Sequence, residues 1–134
     1  TDFPVPALLA RKDVLCMPHI GASTEEAEEN CAMMAADQLM DYLENGNIRN
    51  SVNFPNTNMA RNGGYRITFC NENVPKVLGH VLSLLADRDM NVIDMVNQSR
   101  DGIAYNIIDV ATQPTNDLLK AIAGVEGVVA VRSV

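Results

Sequence analysis

The chain has 134 residues, 47% of them hydrophobic and 20% charged, which is apolar enough for a core and too lightly charged for a disordered chain. Its formal charge of −7 repels phosphate backbones, and with no Trp and only three Tyr and three Phe it offers no stacking platform, so no nucleic-acid partner is expected. No apolar run approaches the ~20 residues of a membrane span, so no membrane partner is expected either. Cys16, Cys31 and Cys70 are odd in number and widely spaced, which argues against a disulfide framework and for a reducing cytoplasm. His19 and His80 stand apart from any ligand cluster, so no metal site is expected. The opening Thr1-Asp2-Phe3-Pro4 reads as the middle of a longer protein.

The first element is a short buried-strand candidate, Val14-Leu15-Cys16-Met17, stopped by Pro18. A loop, His19-Ile20-Gly21-Ala22, follows. Ser23-Thr24-Glu25-Glu26 then reads as a capping box, with the Ser23 hydroxyl accepting from the Glu26 N–H. Glu25, Glu26, Glu28 and Glu29 suit the positive end of a helix dipole. Ala27, Cys31, Met34, Ala35, Leu39 and Leu43 recur at helical spacing, and Asn45-Gly46 ends the helix. One strand and one helix enclose no core, so this part needs further chain or a partner. Met33, Met34, Met40, Met90 and Met95 read as core and interface filler. A seam of turn residues runs from Ser51 to Gly64, and Arg49, Arg61 and Arg66 are too scattered for a phosphate site.

Beyond the seam the pattern is complete in itself. Tyr65, Ile67 and Phe69 alternate with Arg66, Thr68 and Cys70, which predicts a strand. Asn73-Val74-Pro75 opens a helix whose stripe is Val77, Leu78, Val81, Leu82 and Leu85. A second strand over 92–99 and a third over 103–111 flank the hairpin Arg100-Asp101-Gly102. Pro114-Thr115-Asn116-Asp117 caps a short helix ended by Gly124, and 127–134 is the last strand. The order βαββαβ predicts an α+β, ferredoxin-like fold: a four-stranded antiparallel sheet with two helices on one face.

His19 lies between a strand candidate and a helix start, where α/β sheets place ligands. Its ordinary pKa suits acid–base work, although a loop histidine bonded to backbone has the same spacing. The whole run Pro18-His19-Ile20-Gly21-Ala22-Ser23-Thr24-Glu25-Glu26-Ala27 is more specific. It resembles the catalytic-histidine segment of the D-isomer-specific 2-hydroxyacid dehydrogenases. Asn30, Asn45-Gly46 and Val52-Asn53-Phe54-Pro55 resemble the tail of a member that leads into a βαββαβ regulatory module, the ACT domain. The resemblance implies that residues 1–55 are a remnant of the catalytic body, 56–64 a linker and 65–134 an ACT domain. It implies an NAD-dependent oxidation of a hydroxyacid in serine biosynthesis, with His19 taking the hydroxyl proton. It also implies that Asp2 and the backbone of His19, Ile20, Gly21 and Ala22 line the NAD site. The sequence holds no Gly-x-Gly-x-x-Gly loop, and Phe3-Pro4-Val5-Pro6 carries no Glu to pair with His19, for which Asp13 is a stand-in. This chain alone is therefore expected to be inactive.

In the ACT half, Asn71 and Asn73 end the first strand, and Asn91 opens the second. Asn both donates and accepts, which suits an amino acid's ammonium and carboxylate. It is also a natural cap and turn residue. The resemblance implies that Asn71, Asn73 and Asn91 bind an amino-acid effector such as L-serine between two copies, in a homodimer or tetramer. Lys76 stands where ACT domains usually carry Gly. Two other readings remain open: a homodimerisation module that binds no effector, its second strand pairing with its own copy, or the same piece of a sister dehydrogenase with another hydroxyacid.

Overall fold

The computed structural model describes residues 5–134, and the chain divides into two compact units, Thr1–Asp37 and Gln38–Val134. Its elements are α1 (Pro6–Leu9), α2 (Glu25–Asn45), β1 (Tyr65–Glu72), α3 (Val77–Ala86), β2 (Val92–Arg100), β3 (Ile103–Val110), α4 (Asn116–Ala123) and β4 (Val128–Ser133). No helix among the described residues is long and apolar enough to cross a membrane.

In the first unit the predicted strand over residues 14–17 does not form; the backbone there is irregular, and Leu15 is 85% exposed. A lone apolar tetrapeptide has no ladder to complete, and its backbone groups are better satisfied by water. The capping box also shifts by one residue. Thr24, not Ser23, caps α2, its hydroxyl accepting from the Ala27 N–H at 3.2 Å. Three acidic residues occupy the first turn, as the helix dipole favours. No residue of α2 is buried, and Met33, Met34 and Met40 lie exposed, so the core-filler reading fails for them.

The second unit carries the expected βαββαβ order and a four-stranded antiparallel sheet, β2-β3-β1-β4. β1 and β3 are the central strands. Side chains alternate across a strand, so each central strand serves two faces. On one face Ile67, Phe69, Ile108 and Val110 pack with Val81 and Leu85 of α3 and with Leu118 and Ile122 of α4. The N-cap of α4 is Thr115, whose hydroxyl accepts from Leu118 N–H at 3.2 Å. α3 begins at Val77 rather than at Asn73, because Lys76 holds a left-handed backbone (φ 79°) just before it.

Arg66, Thr68 and Cys70 point to the other face, which residues of this polarity can present to water. It is covered instead. Residues 46–61 fold back over it through a bridge in which Ile48 and Thr57 exchange backbone hydrogen bonds of 2.8 and 2.9 Å. Ile48 and Met59 join Tyr105 and Ile107 in a second apolar cluster. The turn residues of the seam thus form a packed layer. Gly46 makes the approach feasible: it has φ 73°, and a Cβ there would collide with the Thr68 methyl.

Candidate functional site

His19, Ile20, Gly21 and Ala22 are all exposed, on irregular backbone before α2. Asp2 lies outside the described residues. Asp13, the stand-in partner for His19, has its carboxylate engaged by Arg11, whose Nε donates at 3.0 Å and holds the Asp13 pKa below its ordinary value. The sequence holds no glycine-rich phosphate loop beside them. Among the described residues no cluster of His, Cys, Asp and Glu could hold a metal.

The three asparagines occupy different settings. Asn71 is buried within the sheet. Its Oδ1 accepts from Asn106 Nδ2 at 2.8 Å, and its Nδ2 donates to the Glu72 carbonyl at 2.6 Å. Asn97 donates to Asn106 at 2.6 Å, so an asparagine relay crosses β2, β3 and β1. Asn73 ties its loop to the β2–β3 hairpin: its N–H donates to Gly102 at 2.8 Å and its side chain to the Asp101 carbonyl at 3.3 Å. Beside it a cleft of about 200 Å³ is lined by Glu72, Val74, Lys76, His80 and Glu126. Asn91 is exposed at the opposite end of the sheet. Glu72 pairs with Ile103 and Val92 with Val110, so the two asparagines flank the full length of β3. At ~3.3 Å per residue that separation is about 23 Å, beyond the span of one amino acid. A pocket using both Asn73 and Asn91 therefore requires two chains.

A further feature escaped the sequence reading. Arg66, fully buried, donates through Nε to Asp109 Oδ1 at 2.6 Å and through Nη2 to Asp109 Oδ2 at 2.8 Å. Its Nη1 donates to the carbonyls of Asn45 (2.8 Å) and Met59 (2.9 Å), and its Nη2 also to that of Ala60 (3.0 Å). All five guanidinium N–H groups are thereby used. The pair fastens the last carbonyls of α2 and the folded-back layer to the two central strands. The only signal in the sequence was a charged residue at an inward-alternating position.

A concave cavity of about 340 Å³ is lined by residues of α2, the folded-back layer and the sheet. Phe54 and Tyr105 form an edge-to-face pair at its wall, with centroids 6.2 Å apart. The Tyr105 hydroxyl donates to the Gly46 carbonyl at 2.8 Å, and burial raises the pKa of both Tyr105 and Cys70.

No family model matches the chain. It is 32% identical over 122 residues to D-3-phosphoglycerate dehydrogenase of Escherichia coli strain K12, covering 90% of this chain and 30% of that protein. The Haemophilus influenzae protein of the same name is 31% identical over 121 residues, with the same coverage. D-3-phosphoglycerate dehydrogenase 2 of Saccharomyces cerevisiae is 32% identical over 110 residues, covering 78% of this chain and 23% of that protein. The chain thus spans about 30% of the length of the first two curated relatives. Among solved structures, the ACT domain of a Chlorobium tepidum GTP pyrophosphokinase gives a TM-score of 0.46 at 19% identity, covering 52% of this chain and 95% of that one. Over nine-tenths of its length this chain is similar to the C-terminal part of D-3-phosphoglycerate dehydrogenase.

Proposed function

We propose that the chain is the C-terminal part of a cytoplasmic, NAD-dependent D-3-phosphoglycerate dehydrogenase, the oxidoreductase at the first step of L-serine biosynthesis. Its regulatory part binds a small amino acid such as L-serine between two copies of the chain. The observation that carries this reading is the 32% identity sustained over 122 residues, through both the histidine segment and the βαββαβ part. In this reading residues 1–55 belong to the catalytic body, 56–64 connect, and 65–134 regulate. His19 is the acid–base of the whole enzyme. Asp2, His19, Ile20, Gly21 and Ala22 serve the nucleotide site only together with chain that supplies the phosphate loop. Asn73 of one copy and Asn91 of the other face the effector, with Asn71 bracing the loop from within the sheet. Effector binding that orders this interface would bias the equilibrium of the parent between its open and closed states.

Calorimetric titration of L-serine into this chain, with D-serine and glycine as controls, tests the proposal. Saturable binding near one serine per chain or per dimer, lost in Asn91→Ala, is expected. A flat titration on a folded dimer, of this chain and of Lys76→Gly alike, overturns the sensor reading. NADH formation from 3-phosphoglycerate by this chain alone would overturn the expectation that the piece is inactive.

Lys76 supports a second reading, a homodimerisation module without effector. It keeps the left-handed backbone that glycine adopts freely, yet puts a long side chain at the mouth of the loop. The β2 edge also exposes Ile93 and Met95 for pairing with a copy. Lys76→Gly separates the two readings. A blocked sensor gains serine binding in this variant, whereas a pure dimerisation module stays flat.

A further inference from the structure

We propose that the cavity between the end of α2 and the second face of the sheet is a binding site for a small aromatic carboxylate. A volume of about 340 Å³ lies within the ~300–1,000 Å³ typical of small-molecule sites. Three elements of one compact unit build it: Leu39 and Tyr42 on α2, Ile48 and Phe54 on the folded-back layer, and Cys70 and Tyr105 on the sheet. These walls are held in place before any ligand arrives. The Arg66–Asp109 clamp joins the layer and the helix end to the sheet, and the Tyr105 hydroxyl is bonded to Gly46. A preformed cavity spares a ligand the cost of ordering its site.

The ligand's ring follows from the wall. Phe54 and Tyr105 already meet edge to face, an arrangement that a third ring extends. Its charge follows from a second, independent observation. A recess of about 70 Å³ shares Tyr42, Cys70 and Tyr105 with the cavity, and its further lining from β1 and β4 includes Thr68 and Arg132. The Arg132 guanidinium lies 4.1 Å from the centroid of the Tyr42 ring and donates through Nη2 to the Tyr42 carbonyl. Its Nε–H is buried and has no acceptor among the described residues. No carboxylate of the described residues pairs with Arg132. Arg132 is half-buried, and a buried N–H without an acceptor is unfavourable; a carboxylate entering past the aromatic wall supplies both the acceptor and a countercharge. The site does not use Asn73 or Asn91, so it stands or falls independently of the serine reading.

The test uses phenylacetate, with acetate as the charge without the ring and 2-phenylethanol as the ring without the charge. Binding is followed by calorimetry and by protection of Cys70 from iodoacetamide, read by peptide mass mapping. Phenylacetate is expected to saturate, to slow Cys70 alkylation, and to bind at least roughly tenfold more tightly than either control. Arg132→Gln is expected to erase its advantage over 2-phenylethanol. Should that variant unfold, Arg132→Lys keeps the charge but loses the Nε–H and is expected to weaken phenylacetate alone. Leu39→Trp fills the cavity from a position that is 57% exposed, and is expected to abolish binding with the fold intact. Asn91→Ala should leave phenylacetate binding unchanged. Equal binding of phenylacetate and acetate overturns the proposal. Unprotected Cys70, or full binding in Leu39→Trp, does so equally.

Discussion

Residues 5–37 and residues 38–134 use the same kinds of amino acid to opposite effect. Among the described residues of the first region nothing is buried: the part of α2 within it has acidic first-turn residues, a threonine cap and the exposed Met33 and Met34. The second region covers both faces of a four-stranded sheet and buries a complete arginine–aspartate pair. Propensity and capping suffice to specify a helix, but they do not place it in a core. Burial needs partners distant in sequence, and only the second region contains them.

Mutations that act on this contrast should be unequal in the two regions. The largest effect is expected for Asp109→Ala. It leaves the fully buried Arg66 guanidinium without its counterion and should cost about 3–5 kcal/mol in urea unfolding. Removing the exposed partner in the first region, Arg11→Ala, should leave the unfolding midpoint unmoved. Next comes Leu118→Ala, a cavity in the helix-side core, at about 2–5 kcal/mol. Met34→Ala, on the exposed face of α2, should stay within about 0.5 kcal/mol.

Smaller is the cap comparison. Thr115→Ala should cost about 1 kcal/mol, because α4 is docked and its first turn must be satisfied for the domain to fold. Thr24→Ala should lower helicity by circular dichroism without shifting the cooperative transition, since the first turns of α2 bury nothing. Smallest is the alkaline limb. Burial raises the pKa of Cys70 and Tyr105 in the folded state, so their contribution is fully present below the unfolded values of 9.0 and 10.0 and is lost as pH rises through the folded values. Unfolding midpoints measured from pH 8 upwards should fall, and the double variant Cys70→Ala/Tyr105→Phe should flatten that fall. At neutral pH the exposed Cys16 and Cys31 should alkylate before Cys70, which mass mapping checks directly.

Much of the second unit was legible from period alone. Alternation at Tyr65-Arg66-Ile67-Thr68-Phe69, the stripe Val77, Val81, Leu85 and the stops at Asp101-Gly102 and Gly124 specify βαββαβ, because each is a local preference that tertiary packing also rewards. The candidate residues were legible as types and positions but not as environments. Asn71 read as a ligand contact, whereas its side chain bonds Asn106 and the Glu72 carbonyl inside the sheet. The strand read into residues 14–17 failed because apolar composition does not supply a neighbouring strand.

By itself, then, the sequence determined the order of the elements in the second unit, their approximate ends, and the similarity that links the chain to a dehydrogenase tail. Only the tertiary structure decided that the second face of the sheet is covered, that Arg66 is a clamp rather than a stray surface charge, and that an aromatic cavity lies beneath the end of α2. The reason lies in range. Helix and strand periods are read within a dozen residues, whereas Arg66 needs Asp109, 43 positions away, together with carbonyls on two other segments. Backbone carbonyls leave no mark in a sequence, so the partners that make a buried charge tolerable appear only when the chain is folded.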